Sequence, residues 1–444
     1  MVTLNATWGA GRGSVLRLLA AVALLGWAAN AGAQPITADS ASSDLPAGYI
    51  VFPKIVVHTT GSPTAPVLPG GTATDTLIQL TNTNEAAAIN VDCWWVNANS
   101  HCGGCTTGPI RTCGSICTTT LDCPLGLSCV QGWVTDDFQI RLTPGQPIAF
   151  TASSGLNRLP CDPGAQGPGC PGSPANQAMG TIRPAPEDPF MGELKCVEVD
   201  DDDDPVPANH IKGEATIVST TVQPAPPVPP ILPGTTTAAA YNGIGFQADQ
   251  TFIPTQNPTD PLCLGALPPG SGSAMCNQQY APCPGVLILN HFFDGAATEI
   301  GGIVDTELVL APCSEDLGNI TRSGNFQVLA QLLIYNEFEQ RFSSSSRVTC
   351  YRSTRLSDID TGPGPAGDAF SIFSVGVQGT IAGQTRIRGV QGAPNGLGYG
   401  LLGVACENYH AGSLAGPILS RTAFNLHQDG FRQEGDAVYL EVLP

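Results

Sequence analysis

The sequence predicts an all-β protein made of two tandem antiparallel β-sandwich domains, the first of which carries a disulfide-rich loop insertion. Three observations predict this fold class. Short apolar runs are enriched in β-branched residues and bounded by turn residues, glycine (52) and proline (39) are abundant, and there are 16 cysteines. Helical periodicity is nearly absent. Strands at this spacing without helices between them are typical of antiparallel sandwiches.

The N-terminus has the three-part layout of a secretory signal peptide over residues 1–33. Arg12 and Arg17 form the positive region, residues 18–29 form the apolar region, and the small residues 31–33 form the cleavage site. The apolar run is nearer to a dozen residues than to the roughly 20 that a transmembrane helix needs. We therefore expect a cleaved chain that is secreted or periplasmic, extracellular or at the cell surface, and not inserted in a membrane.

The apolar runs define the order of the predicted domains. Residues 222–240 are rich in proline, which favours a semi-rigid extended linker over a central strand. This linker separates a first sandwich domain at 34–221 from a second at 241–444. The clearest strand patterns occur in eight runs, at 49–57, 76–80, 89–96, 138–142, 214–218, 286–289, 306–310 and 332–335.

The two halves share three sequence features in the same order, which suggests a duplicated domain. Each half has an Asp-Thr strand (beginning at Asp75 or Asp305), then a cysteine followed by an aromatic residue, then a further cysteine in a strand-like segment. Chance similarity between common strand patterns is the alternative explanation. If the duplication is real, each domain is closed by one disulfide, and the natural pairs are Cys93–Cys196 and Cys350–Cys406.

A cysteine-dense insertion occupies residues 102–129. It has almost no apolar core of its own, so cross-links must hold it. Its second half, from Cys117 to Cys129, resembles the pieces of small extracellular cysteine-rich modules. A zinc site formed by His101, Cys102, Cys105 and Cys113 is an alternative that oxidation of the same thiols disfavours. A redox-active Cys102–Cys105 pair is a second alternative, but it lacks a thioredoxin-like βαβ context. The candidate disulfide cysteines here are Cys102, Cys105, Cys113, Cys117, Cys123 and Cys129.

The remaining cysteines predict further cross-links. Cys161 and Cys170 enclose a loop rich in glycine and proline, which we expect a disulfide to close. In the second half, four cysteines allow two bridges with three possible pairings, and the sequence does not choose between them. These four are Cys263, Cys276, Cys283 and Cys313.

The charge balance excludes some partners and suggests one ion. The formal net charge is −19, and removal of the two signal arginines makes it more negative. With only three lysines in the chain, nucleic acid and anionic lipid are not expected partners. Calcium is possible at the acidic run that begins with Asp200, Asp201 and Asp202, although a solvated turn is the alternative. No other cofactor is expected.

No sequence motif indicates a catalytic activity. The nucleophile elbow, the zinc-protease helix and the phosphate-binding loop are all missing from the sequence. His291 could act as a base oriented by Asp294, but a hydrogen-bonded structural histidine is the commoner case. The acidic pairs at 187–188 and 315–316 could suggest glycoside hydrolysis, whereas adjacent acids in loops usually face water. We therefore expect a protein that is not an enzyme.

The runs DTLIQLTNTN, DFQIRLTPGQPIAF and LLIYNEFEQRF resemble an uncharacterised family of exported bacterial proteins, and this resemblance implies export without implying an activity. The two halves also resemble immunoglobulin-like sandwiches in architecture. The function expected is that of a structural or binding protein of the cell-surface, matrix or adhesion type. Loops such as 102–129 would contact an unknown protein or a surface glycan. A secreted hydrolase with an unrecognised carboxylate site and a calcium-stabilised adhesion module are the rival hypotheses.

Overall fold

The computed structural model describes most of the chain after residue 40. The signal peptide predicted at 1–33 and residues 222–235 of the predicted linker lie outside this part. The described residues are 41–59, 61–62, 65–66, 72–104, 114–131, 134–156, 182–221, 236–249, 264, 279–297, 301–313, 327–363, 369–391, 400–433 and 437–439.

Among its described residues, the first half of the chain consists of strands and one 3-10 turn, Thr120–Asp122. Its strands are β1 Tyr49–Val57, β2 Gly61–Ser62, β3 Ala65–Pro66, β4 Thr72–Asn82, β5 Ile89–Asn97, β6 Ser100–Cys102, β7 Cys129–Gln131, β8 Val134–Leu142, β9 Pro147–Thr151, β10 Phe190–Val199, β11 Ile211–Thr221, β12 Thr236–Asn242 and β13 Ile244–Phe246.

The second half also consists mainly of strands, with a 3-10 turn at Leu356–Asp358 and a single turn of α-helix at Val375–Gln378. Its strands are β14 Pro284–Phe292, β15 Ala296–Ala297, β16 Gly302–Cys313, β17 Gln327–Asn336, β18 Arg341–Thr349, β19 Arg352–Arg355, β20 Gly362–Pro363, β21 Ala369–Phe370, β22 Ala382–Gln391, β23 Gly400–Ala411, β24 Ile418–Asn425, β25 His427–Gln433 and β26 Ala437–Tyr439.

Four larger antiparallel sheets organise these strands. Sheet A has the order β13-β1-β10-β5-β8, and sheet B has the order β12-β11-β4-β9. Sheet C has the order β18-β17-β22-β14-β25-β26, and sheet D has the order β15-β16-β23-β24 with β19 also paired to β16. All eight strand runs predicted from the sequence lie inside observed strands, so the all-β class is confirmed.

Sheets A and B pack against each other around the first hydrophobic core. Trp95 on β5 lies at its centre, and its ring centroid is 5.7 Å from that of Phe138, 6.4 Å from that of Phe150 and 6.1 Å from that of Phe190. Side chains from β4 and β11, among them Ile78, complete the core from the opposite sheet. Burying each such side chain contributes about 1.5–3 kcal/mol, and this burial holds the two sheets together.

Sheets C and D enclose the second hydrophobic core. Leu287 and Leu289 of β14 and Ile387 of β22 face it from sheet C, and Leu308 and Ala405 face it from sheet D. Alternate residues of these strands point away from the core, as the two-residue period of a strand requires. The second face of each sheet is therefore available for other contacts.

The two halves share hydrophobic cores, which is a correction to the expectation of two tandem immunoglobulin-like domains. The first core includes Val404 and Tyr351 of the second half, and a third cluster joins Tyr49 and Val197 of sheet A to Leu402 of sheet D. Separate tandem domains would each bury a core of their own. The arrangement of the sheets is propeller-like and not that of two tandem immunoglobulin domains.

The disulfide of the first half also differs from the immunoglobulin pattern. Cys93 on β5 lies directly opposite Cys196 on β10, and a disulfide joins them within sheet A. The immunoglobulin disulfide instead connects two facing sheets. The bond therefore links neighbouring strands of one sheet across 103 positions of sequence.

The three shared sequence features do not occupy equivalent positions in the two halves. Asp75 lies on β4 in sheet B, whereas the cysteines of its half lie in sheet A. Asp305 lies on β16, which pairs directly with β23, the strand that carries Cys406. Strands β12 and β13, which end at Phe246, belong to sheets B and A, so the sheets of the first half use residues beyond the linker predicted at 222–240.

Candidate binding site: the disulfide-braced insertion

The described part of the insertion is a short hairpin braced by two disulfides. Strands β6 and β7 pair so that Cys102 lies opposite Cys129. Cys102 is bonded to Cys123, and Cys117 is bonded to Cys129. The two bonds interleave along the chain, so each loop that one disulfide closes contains a cysteine of the other disulfide. Cys105 and Cys113 lie outside the described residues.

A network of hydrogen bonds shapes the tip of the insertion. The Asp122 carboxylate accepts hydrogen bonds from the backbone N–H groups of Thr119 (2.7 Å) and Thr118 (2.8 Å). These bonds lower the pKa of Asp122. They close the 3-10 turn in the manner of a capping box. The backbone at the tip is therefore held by side-chain hydrogen bonds as well as by disulfides.

The tip presents apolar side chains to solvent. Leu121 is 94% exposed and Leu125 is fully exposed, and these are the two most exposed large apolar side chains among the described residues. Leu127 and Val130 are also exposed. These side chains were not among the candidate residues predicted from the sequence, although leucines in a segment otherwise without a core were the available signal.

The base of the insertion is anchored to both halves of the molecule. His101 is buried, with its Nε2 atom 3.1 Å from Oε2 of Glu187. The other oxygen of Glu187 accepts hydrogen bonds of 2.6 Å from the side-chain amides of Asn97 and Asn99. On the opposite side, the Gln131 side chain donates a 2.9 Å hydrogen bond to the carbonyl of residue 351. The insertion thus sits at a fixed position.

For the described residues, the disulfides argue against the zinc site considered from the sequence. The only group of three potential metal ligands that lie within 4.8 Å of one another in the described ranges consists of Cys102, Cys117 and Cys123. All three sulfurs are in disulfides and offer no thiolate to a metal. His101 is engaged with Glu187 instead.

The acidic run forms an exposed turn after β10. The Asp200 carboxylate accepts hydrogen bonds from the backbone N–H groups of Asp202 (2.9 Å) and Asp204 (3.0 Å). The side chain of Asp201 instead accepts a 2.9 Å hydrogen bond from Asn90. Asp200, Asp201 and Asp202 are not gathered around one point within the described residues. The turn is held by local hydrogen bonds.

His291 and Asp294 do not form the acid–base pair considered from the sequence. Nδ1 of His291 donates to the carbonyl of residue 292 (3.1 Å), and the Thr385 hydroxyl lies 2.9 Å from Nε2. Burial lowers the pKa of His291 to about 4. Burial raises the pKa of Asp294 to about 6, and its carboxylate accepts hydrogen bonds from the N–H groups of Thr306 and Ser357. Both side chains have structural partners.

The other candidate acids and cysteines lie in different parts of the structure, and several lie outside the described residues. Asp188 accepts hydrogen bonds from Thr59, whereas residues 315–316 lie outside the described part. Cys283 and Cys313 form a disulfide. The expected Cys350–Cys406 bond is not present: both side chains are buried, and burial raises the pKa of the Cys406 thiol. The remaining candidates lie outside the described residues, namely Cys161, Cys170, Cys263 and Cys276.

Comparison of the chain with protein-family models, with curated proteins and with solved structures gives no match. In the described part of the chain, no helix has the length and apolar character needed to cross a membrane. Four disulfides in the described residues favour an oxidising, extracellular type of compartment.

Proposed function

We propose that this protein is an exported, non-enzymatic binding protein whose insertion at 102–129 contacts a partner protein. The observation that carries the proposal is the exposure of Leu121 and Leu125 on a tip held rigid by two disulfides. Exposed apolar side chains on a preorganised loop are typical of interaction sites, because little conformational entropy is lost when they become buried.

The chemistry of the tip indicates the kind of partner. Leu121 and Leu125 offer apolar surface, and the described tip carries one acidic side chain, Asp122, which is engaged in its own turn. A partner with an apolar recess would bury the leucines and exclude water from them. The signal peptide predicted at 1–33 and the resemblance to exported bacterial proteins support a contact outside the cytoplasm.

The test measures saturable binding of fluorescently labelled mature protein to intact cells of the producing organism that lack their own copy. The test variant is Leu121→Ser/Leu125→Ser. The matched control is Phe338→Ser/Leu419→Ser, which removes two other exposed apolar side chains (65% and 57% exposed) from the second half. The tip variant should bind about 100-fold more weakly, since two buried leucines are lost from the contact.

The control variant should bind as the native protein does, and both variants should keep the native melting temperature. Equal binding by the tip variant and the native protein would show that the insertion is not the contact surface. Hydrolysis of cell-surface material by the purified protein would support the rival enzymatic hypothesis.

A further inference from the structure

The outer face of sheet C has a composition unlike the rest of this acidic chain. Along β22, Thr385 and Ile387 point into the second core, whereas Arg386 is exposed and Arg388 is partly exposed on the other face. Along β17, the exposed Gln331 lies on that same outer face. The two-residue period of β22 therefore turns Thr385 and Ile387 inward and the two arginines outward.

The strand register brings four arginines onto this face. Arg388 lies opposite Gln331, and Arg386 lies opposite Leu333, on adjacent strands. On the edge strand β18, Arg347 and Arg341 point the same way and are exposed. We call this surface the arginine face, and it consists of Arg341, Ser343, Ser345, Arg347, Arg386 and Arg388.

A groove of about 750 Å³ runs across the arginine face. Arg386 and Arg388 line it together with the hydroxyls of Ser343 and Ser345. Its floor is partly apolar, and Asp429 contributes a carboxylate on the β25 side. The groove therefore combines guanidinium groups, hydroxyl groups and apolar surface within one depression.

We propose that the arginine face binds an acidic polysaccharide, a linear polymer that carries carboxylates on its sugar rings. Guanidinium groups bind carboxylates through two parallel hydrogen bonds, and the serine hydroxyls can both donate to and accept from sugar hydroxyls. This surface lies on sheet C and is separate from the insertion, so the inference does not depend on the proposed function.

The dimensions of the face favour a polymer over a small anion. Arg341 and Arg347 are six residues apart on one strand, which corresponds to about 20 Å. Arg386 and Arg388 lie two strands away from β18, a distance of about 10 Å. A single small anion cannot contact charges spread over this area, whereas an extended chain with repeating carboxylates can.

The overall charge favours a polymer of moderate charge density. The chain has 37 acidic residues against 18 basic ones, so its long-range field repels anions. Duplex DNA carries one charge per about 1.7 Å of its axis and is repelled strongly. A polysaccharide with one carboxylate on each sugar is repelled less, and the local arginines can hold it.

The experiment measures binding of polygalacturonate to the full mature protein at low ionic strength, with uncharged dextran and single-stranded DNA as comparison polymers. The test variant is Arg386→Gln/Arg388→Gln. The matched control is Arg141→Gln/Arg183→Gln, which makes the same charge change at two arginines of the first half (32% and 60% exposed). A second test variant, Ser345→Glu, adds a negative charge to the face without removing an arginine.

We expect the native protein to bind polygalacturonate and not dextran, with affinity that falls as salt is added. The Arg386→Gln/Arg388→Gln variant should bind about tenfold more weakly, Ser345→Glu should also bind more weakly, and the control should change less than about twofold. All variants should keep the native melting temperature. Absence of native binding, equal losses in the test and control variants, or preferential binding of DNA would each overturn the proposal.

Discussion

Lys54 on β1 forms an ion pair with Glu307 on β16, and this pair joins sheet A to sheet D across 253 positions of sequence. Lys54 is only 3% exposed. Its backbone N–H donates a 3.1 Å hydrogen bond to the Tyr241 hydroxyl, which in turn donates a 2.6 Å bond to the Lys54 carbonyl. The hydroxyl of Ser353 donates a second hydrogen bond to Glu307. The contact between the two halves therefore contains a specific polar network.

Replacing Lys54 with methionine should destabilise the protein by about 3–5 kcal/mol at pH 7, because the partner carboxylate would be left without its cation. Burial alone would raise the pKa of Glu307, but Lys54 and the hydrogen bonds lower it to about 2. A lowered pKa contributes stability that is present above about pH 4.5 and is lost as the pH falls toward 2.

The difference in unfolding free energy between the Lys54→Met variant and the native protein should therefore shrink over that pH range. Denaturant unfolding at several pH values measures it. The control is Lys212→Met, whose amine donates to the Asp44 carbonyl at the surface. A loss in the control as large as in Lys54→Met would contradict a special role for the ion pair.

Removing the Cys93–Cys196 disulfide should cost more global stability than removing one from the insertion. Its bond spans 103 positions, and in the chain-entropy model such a loop contributes about 4–5 kcal/mol. The Cys117–Cys129 bond spans 12 positions. Without it the insertion can open while the sheets stay folded, because the insertion adds no side chain to the three hydrophobic cores.

Denaturant unfolding followed by tryptophan fluorescence compares the two alanine pairs, since Trp95 lies in the first core. The insertion variant should keep the native free energy of unfolding to within about 1 kcal/mol and become sensitive to protease at the tip. If both variants lost the same stability, the Cys117–Cys129 bond would stabilise the sheets as well as the insertion, contrary to this prediction.

Replacing Asp92 with asparagine should stabilise the protein at pH 7 to 8 and not at pH 4. Burial raises the pKa of Asp92 to about 6, and the nearby carboxylates of Asp203 and Asp137 add to this effect. A raised carboxyl pKa means that the folded state binds more protons between about pH 4 and 6, so native stability falls as the pH rises through this range.

The asparagine variant lacks this penalty. Asp92 is partly exposed, so the gain should be at most about 1 kcal/mol. Melting temperatures at pH 4, 6 and 8 measure it, with Asp44→Asn as an exposed control. A gain of the same size at pH 4 would contradict the assignment.

Much of the secondary structure was predictable from local pattern. The eight predicted runs lie inside β1, β4, β5, β8, β11, β14, β16 and β17, because β-branched alternation between turn residues is a local signal. The polar β22 was missed, and only the end of the serine-rich β18, next to Cys350, was indicated, since their outer faces carry serine and arginine and their apolar positions are few. Their place in a sheet comes from their neighbours.

The candidate sites were predictable only in part. The insertion was identifiable from its cysteines. The interleaved pairing, Cys102 with Cys123 and Cys117 with Cys129, was not predictable, because several connectivities satisfy the same spacing. The arginine face was invisible in the sequence, because Arg341 and Arg388 come from separate strands that only the sheet register brings together.

The sequence by itself determined the all-β class, the expectation of export, the acidic charge and the disulfide-rich character, since each depends on composition or on local pattern. Only the tertiary structure decided which strands share a sheet, that Lys54 meets Glu307, and that the two halves share cores. The physical reason is that strand pairing and core packing join residues far apart in sequence, and a local pattern of apolar residues fits many such pairings equally well.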